Sequence, residues 1–110
     1  MVEELITLDD FSNLQIKFTD NLILHYIELN NLEIDEDDKY SIVMFELSFT
    51  FYNQHYTAWI SSRNIDLNFS TVQGEGNSEL FDSFINAIEY THWEVISELC
   101  KQYLKVLNND

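Results

Sequence analysis

The side chains that could carry chemistry in this chain are its histidines, its single cysteine and its many carboxylates. Imidazole, thiolate and carboxylate groups are the usual zinc ligands and the usual general acids and bases. His25, His55 and His92 are widely separated, and the sequence contains no His-x-x-x-His or Cys-x-x-Cys pair. We therefore expect no zinc site and no other metal site.

Three further patterns that could indicate a site are incomplete. The acidic segment 33–38 has five carboxylates in six residues, but it lacks the glycine and the closing glutamate of a calcium loop. The segment 73–77 contains two glycines without the lysine and hydroxyl residue of a phosphate loop. Cys100 lies among apolar residues at helical spacing, which favours a buried thiol over a nucleophile. The sequence therefore predicts no catalytic residue and no cofactor, and we expect that the protein is not an enzyme.

The strongest signal is the charge of the chain. Its 110 residues include 20 Asp and Glu against 5 Lys and Arg, a formal net charge of −15. With 45% hydrophobic and 15% aromatic residues, the chain can still bury a core, so the charge must lie on a folded body. An anionic surface repels nucleic acid and anionic membranes. We expect a basic protein as partner, with no direct binding of nucleic acid or membrane.

Length and composition indicate a single domain over residues 1–110. One cysteine suits a reducing compartment, and the acidic start Met-Val-Glu-Glu lacks the basic region of a signal peptide. No uncharged apolar run approaches the roughly 20 residues that span a bilayer. A soluble, cytoplasmic protein is expected.

The first element predicted is a helix over residues 7–31. A hairpin is the alternative, because the segments 15–18 and 22–29 are rich in strand-forming residues and residues 19–21 could turn between them. The helix is predicted because apolar residues recur at three- and four-residue steps. They are Leu8, Phe11, Leu14, Phe18, Leu22, Tyr26 and Leu29.

The middle of the chain predicts a three-stranded antiparallel sheet. Alternation of apolar and polar residues is strong in Ser41–Tyr52 and weaker in His55–Arg63, with a tight connection at Asn53-Gln54. Ile65–Ser70 is the third predicted strand, and the glycines of segment 73–77 are expected to end the sheet as a turn.

The C-terminal part predicts one or two helices. Ser78 could cap the start, and a shift of the apolar stripe near residues 90–92 favours two helices over one bent helix. The predicted fold class is therefore α+β: an N-terminal helix, a three-stranded antiparallel sheet, and one or two C-terminal helices packed on one face.

Several carboxylates could form a partner-binding surface that imitates the phosphate array of a nucleic acid. On the predicted helix 79–90, three of them would project away from the apolar side over about 15 Å at 1.5 Å per residue. The dense segment 33–38 and two carboxylates nearer the sheet would extend the field. The predicted partner-binding residues are Glu33, Asp35, Glu36, Asp37, Asp38, Asp66, Glu75, Glu79, Asp82 and Glu89.

In charge, length, lack of a catalytic motif and order of elements, the chain resembles small acidic phage or mobile-element proteins that mimic DNA, such as anti-CRISPR and anti-restriction proteins. The elements that carry the resemblance are the predicted helix, the sheet in Ser41–Ser70 and the acidic C-terminal helices with Glu79, Asp82 and Glu89. The resemblance implies a non-catalytic inhibitor that occupies the DNA-binding groove of a CRISPR-Cas or restriction nuclease in the bacterial host cytoplasm.

Two alternatives remain open. One is an immunity protein that neutralises a nuclease toxin, and the other is an acidic secretion chaperone that binds an effector through apolar grooves. Binding by carboxylates should weaken steeply with salt, whereas a chaperone should depend on exposed apolar residues. A homodimer is also open, because Phe49, Phe51, Tyr52 and Trp59 could supply aromatic surface.

Overall fold

The computed structural model describes residues 7–34, 36, 40–62 and 70–108, and its centre is a five-stranded antiparallel sheet. The strands lie in chain order across the sheet, so each one pairs with its neighbours in sequence. The strands are β1 Ile16–Thr19, β2 Leu22–Ile34, β3 Tyr40–Phe51, β4 Gln54–Ser62 and β5 Ser70–Gly76. The helical segments are α1 Leu8–Phe11, α2 Phe81–Asn86, a π-helical turn Ala87–Thr91, and α3 Trp93–Asn108.

The helix predicted over residues 7–31 is wrong, and the alternative hairpin is the structure that forms. Only α1 is helical there, and β1 and β2 follow it. The pairing of β2 with β3 has three register shifts, and two of them, at His25 and Asn30, interrupt the alternation of β2. Residues that face the core are consequently spaced by alternating steps of two and three, so strict alternation is absent from the sequence of β2. These residues are Leu22, Leu24, Ile27, Leu29 and Leu32. The predicted helical stripe combined core residues with Tyr26, which lies on the other face of the sheet.

The prediction of three strands is also wrong, because β5 includes most of the segment expected to form a turn. Gly74 and Gly76 lie within this strand, where neighbouring side chains approach the backbone closely. A Cβ atom on Gly76 would lie 2.2 Å from Cδ2 of Tyr56, and one on Gly74 would lie 2.7 Å from Cδ1 of Ile85. The two glycines therefore permit close packing rather than a chain reversal. The strand predicted at Ile65–Ser70 lies outside the described residues except for Ser70.

The two strands predicted at Ser41–Tyr52 and His55–Arg63 are present as β3 and β4. The turn between them is Tyr52-Asn53, one residue earlier than predicted, and these residues have φ angles of 48° and 64°. Two consecutive positive φ angles are typical of the type I′ turn that joins two-residue hairpins. The alternation of β3 places a continuous apolar row in the core, composed of Val43, Phe45, Leu47, Phe49 and Phe51.

The helical segments pack on the same face of the sheet, as predicted. Phe84 of α2 stacks on Tyr56 of β4 with ring centroids 4.6 Å apart. Tyr103 of α3 meets Phe45 of β3 and Phe11 of α1 edge-on, at 5.1 Å and 4.9 Å. These contacts join the helices and the sheet in one hydrophobic core.

The C-terminal region contains two helices, as the shift of the apolar stripe indicated. The π-helical turn ends at Thr91, and α3 begins at Trp93. Between them, the backbone amide of His92 donates a hydrogen bond to the carbonyl of Ala87 at 3.0 Å. The predicted cap at Ser78 is wrong, because α2 begins at Phe81 and its N-cap position is Leu80.

Candidate functional site

The sheet has a second face, which points away from the helical segments. We call it the open face and define it by the outward side chains of β2, β3, β4 and β5. Cross-strand register places Glu28, Glu46 and Trp59 in one row of this face. The neighbouring row contains Tyr26, Ser48, Thr57 and Glu75.

Tyr26 and Glu46 form a hydrogen-bonded pair on the open face. The register shift beside His25 turns Tyr26 outward, and its hydroxyl donates to Oε2 of Glu46 at 2.8 Å. The hydrogen bond to the carboxylate raises the pKa of Tyr26, with smaller contributions from burial and from the negative charges of Glu46 and Glu28. Tyr26 therefore remains protonated and holds one oxygen of Glu46 in place.

Glu28 and Glu46 lie directly opposite each other on adjacent strands. Side chains in such a pair have Cβ atoms about 4.5–5.5 Å apart, so two carboxylates there repel each other. Trp59 lies opposite Glu46 on its other side and is half-buried. The row thus combines two like charges with a partly accessible indole ring.

Two of the three histidines lie on the open face, on either side of Thr50. His25 contacts Oγ1 of Thr50 through Nε2 at 2.6 Å and Oε1 of Gln15 through Nδ1 at 3.0 Å. His55 lies opposite Thr50 on β4. His92 packs against Phe18 instead, and burial lowers its pKa. No group of three or more metal-binding side chains occurs within the described ranges.

The predicted acidic surface is divided between the two layers of the fold. Glu33 and Glu75 are exposed on the strands that form the open face, and Glu36 is exposed in the connection after β2. Asp82 is exposed in the first turn of α2, and Glu89 is half-buried in the π-helical turn. Asp35, Asp37, Asp38 and Asp66 lie outside the described residues.

The predicted helical stripe of carboxylates does not form as expected. Glu79 lies in the turn before α2 rather than on the helix, and the π-helical turn changes the angle between Asp82 and Glu89. A π-helical turn widens the helix, so positions on either side of it do not keep the regular spacing of an α-helix.

Sequence reasoning did not single out Glu28, and it considered Trp59 only as aromatic surface for self-association. Glu46 is the one carboxylate in the first predicted strand, Ser41–Tyr52, and in the structure it is half-buried. The alternative hairpin contained the missing signal, because a strand over residues 22–29 would have brought Glu28 to the sheet. Its position opposite Glu46 depends on the register shift in β2.

Known proteins offer no guide to this face. The chain matches no family model, no curated protein and no solved structure. Among the described residues, no helix is both long enough and apolar enough to cross a membrane.

The aromatic surface expected to support self-association is largely internal. Phe49 and Phe51 belong to the core, with exposed fractions of 0% and 7%. Tyr52 is half exposed at the β3–β4 turn, and Trp59 is half-buried on the open face. Phe49 and Phe51 are therefore not accessible to a second copy of the chain. The homodimer stays a prediction that depends on Tyr52 and Trp59.

Cys100 is fully buried on α3, and this burial raises the pKa of its thiol far above the usual range. The thiolate is the reactive form, so we expect no reaction of the native protein with Ellman's reagent at pH 8. Reaction should require unfolding and should be slower than that of an exposed thiol by a factor of about 10³ or more. The variant Glu98→Cys, at an exposed position on the same helix, is the control. Immediate reaction of one thiol in the unmodified protein would contradict this burial.

Proposed function

We propose that the protein is a non-catalytic inhibitor that covers the nucleic-acid-binding groove of a basic protein. A CRISPR-Cas or restriction nuclease in the cytoplasm of a bacterial host is the proposed target. The observation that carries this proposal is that no Asp or Glu in the described ranges is buried, in a chain of net charge −15. The described carboxylates thus lie at the surface, and most of them are exposed to a partner.

Among the residues that the structure describes, Lys17 forms the ion pair with known geometry, and it neutralises little of this charge. Lys17 pairs with Asp20 at 3.3 Å, and both side chains are largely exposed. Neither Lys101 nor Lys105 forms an ion pair with a carboxylate of the described residues. The negative field therefore extends into solvent, where it would attract a basic surface over roughly 8 Å at physiological salt.

The dimensions of the molecule suit a groove that accepts a duplex. Its longest extent is 44 Å, and the other two are 27 Å and 19 Å. The long extent corresponds to about 13 base-pair steps of 3.4 Å. A body of this length with outward carboxylates could replace many phosphate contacts at once.

A secretion chaperone gains no support from the surface. Such a protein would need a continuous apolar groove for its client. The large apolar side chains that are exposed in the described part of the chain are scattered over separate elements. They are Ile34, Tyr52, Tyr90 and Val95.

The test begins with a pull-down from host lysate with stepwise elution by salt. The recovered protein is then incubated with a labelled DNA or RNA duplex, and displacement of the duplex is measured. We expect displacement, with an affinity for the partner that falls at least about tenfold between 50 and 500 mM NaCl. A salt-resistant unfolded client, or a partner that keeps its nucleic acid, would contradict the proposal. A captured nuclease toxin would favour the immunity alternative.

Charge-neutralising variants provide the second part of the test. Glu79→Gln/Asp82→Asn/Glu89→Gln, combined with neutralisation of the acidic residues in segment 33–38, should abolish displacement. The matched control for the first three changes is Asp9→Asn/Glu94→Gln/Glu98→Gln, which removes the same charge from other exposed positions. Full binding by the combined variant would exclude these carboxylates as the binding surface.

A further inference from the structure

The side of β2 that points away from β3 is paired with a strand over part of its length. β1 pairs with β2 from Leu22 to Leu24, and the backbone amide of Leu14 donates to the carbonyl of His25 at 2.9 Å. Beyond His25, no strand of the described residues pairs with this side of β2. We call residues 26–32 on this side the free edge. Such an edge presents backbone N–H and C=O groups with which another strand can pair.

The core face of β2 becomes less buried beyond the point where β1 ends. Leu22, Leu24 and Ile27 are 1%, 0% and 2% exposed. Leu29 and Leu32 also pack against the hydrophobic core, but both are half-buried. The residues of β3 opposite these two leucines are buried, so the exposed surface lies towards the free edge. One further strand along this edge would therefore bury apolar surface as well as pair backbone groups.

We propose that the free edge binds an extended segment of the basic partner as an additional antiparallel strand of the sheet. This inference rests on the proposed function, because it describes how the basic partner is held. Apolar residues of the segment would pack beside Leu29 and Leu32. The alternate residues would be lysine or arginine on the other face of the sheet, where Glu28 is exposed. Main-chain hydrogen bonds would supply affinity, and the alternation would supply specificity.

A second copy of this chain is a poorer occupant of the free edge. Each copy has a formal net charge of −15, so two copies repel each other, whereas a basic segment is attracted. The bulge at Asn30 also opposes indiscriminate pairing along this edge. The run 26–29 before this bulge is as long as β1, which pairs as a four-residue strand. A short basic segment can therefore pair with the free edge before the bulge.

The first experiment measures binding of a peptide of alternating lysine and valine to the wild-type protein by isothermal titration calorimetry. Two N-methylated forms of the peptide, with identical charge, are the controls. Methyl groups on one alternate set of amides remove the donors that face β2, whereas those on the other set point to solvent. We expect the first form to bind at least about tenfold more weakly than the second, because it loses several main-chain hydrogen bonds. Equal binding by the two forms would overturn strand addition.

Amide hydrogen exchange of the wild-type protein locates the bound peptide. Backbone amides of the free edge that point away from β3 should exchange at least about tenfold more slowly with the unmethylated peptide bound. The reason is that these amides donate to the peptide in the complex. Protection confined to other elements would overturn the proposal.

Leu32→Lys tests the free edge from the side of the protein. An inward-pointing lysine on an edge strand opposes the addition of a further strand, and its ammonium group can reach solvent beside the edge. The matched control is Asn31→Lys, which makes the same charge change at the adjacent exposed residue. Leu32→Lys should weaken peptide binding at least about tenfold, and Asn31→Lys by less than about threefold. Equal losses in the two folded variants would overturn the proposal. If Leu32→Lys fails to fold, the N-methylated peptides still decide, because they require only the wild-type protein.

Two further measurements separate the remaining outcomes. A wild-type dimer in analytical ultracentrifugation that Leu32→Lys dissociates would show that a second copy occupies the free edge, and would overturn the proposal. If the wild-type protein displaces the duplex and Leu32→Lys does so equally well, strand addition is wrong and the inhibitor proposal stands. If the wild-type protein fails to displace the duplex, the inhibitor proposal is wrong, and the N-methylated peptides decide whether the free edge binds a basic strand.

Discussion

Replacing Phe84 by alanine is expected to lower the free energy of unfolding by about 3–5 kcal/mol. Phe84 is fully buried, and it stacks on Tyr56 at 4.6 Å while meeting Phe49 edge-on at 5.3 Å. Its ring is a main contact between α2 and the sheet. Alanine would leave a cavity there, because the rigid β-strands cannot move in to fill it.

The effect of Phe84→Ala should be large relative to the whole stability, since domains of this kind unfold with about 5–15 kcal/mol. Urea denaturation followed by circular dichroism measures the loss. Tyr90→Ala is the control, because Tyr90 lies in the adjoining π-helical turn with 79% of its surface exposed. That change should alter stability by less than about 0.5 kcal/mol. A loss below about 1 kcal/mol for Phe84→Ala would show that α2 does not pack on the sheet as described.

The second large effect is expected from Gly76→Ala, which should cost about 1–3 kcal/mol or more. The new methyl group would lie 2.2 Å from Cδ2 of Tyr56 and 2.8 Å from two further atoms of that ring. Tyr56 cannot move easily, because its ring is fully buried and its hydroxyl donates to the carbonyl of Asn77 at 3.1 Å. Either β5 must shift away from β4, or the stack of Tyr56 on Phe84 must change.

Gly74→Ala, two residues earlier on the same strand, is the matched control for Gly76→Ala. Its methyl group would lie 2.7 Å from Cδ1 of Ile85, the flexible end of a half-buried side chain, and 3.0 Å from Cζ of Phe81. Rotation of Ile85 can relieve most of this contact, so the loss should be smaller than for Gly76→Ala. Thermal denaturation of the two variants makes the comparison. Equal losses, or none for Gly76→Ala, would contradict the described packing of Tyr56.

The fold could be predicted best where local pattern and tertiary environment agree. In β3, every odd-numbered residue from Val43 to Phe51 is apolar, and these residues form the buried face of the strand as expected. The stripe shift near residues 90–92 also marked a real break before α3. In β3 and on each side of the break, every apolar residue of the pattern faces the same core, so spacing alone was sufficient.

Prediction failed where a single residue changed the phase of a pattern. The extra residues at His25 and Asn30 interrupt the alternation of β2, so residues from both faces of the strand, Tyr26 among them, fell at three- and four-residue steps. Gly74 and Gly76 suggested a turn, whereas they are needed because Tyr56 and the side chains of α2 lie against the strand. Neither cause can be recognised in the local sequence, since each depends on a neighbouring strand or helix.

The sequence by itself determined the charge of the protein and, through it, the class of partner that we propose. Charge follows from composition, and carboxylates without partners remain on the surface in any fold because their burial is too costly. Only the tertiary structure decided which carboxylates are neighbours. The register between β2, β3 and β4 placed Glu28 and Glu46 beside Trp59, although these residues are far apart in the chain. Cross-strand pairing joins such distant positions, and its register depends on bulges and core packing that act over the whole sheet.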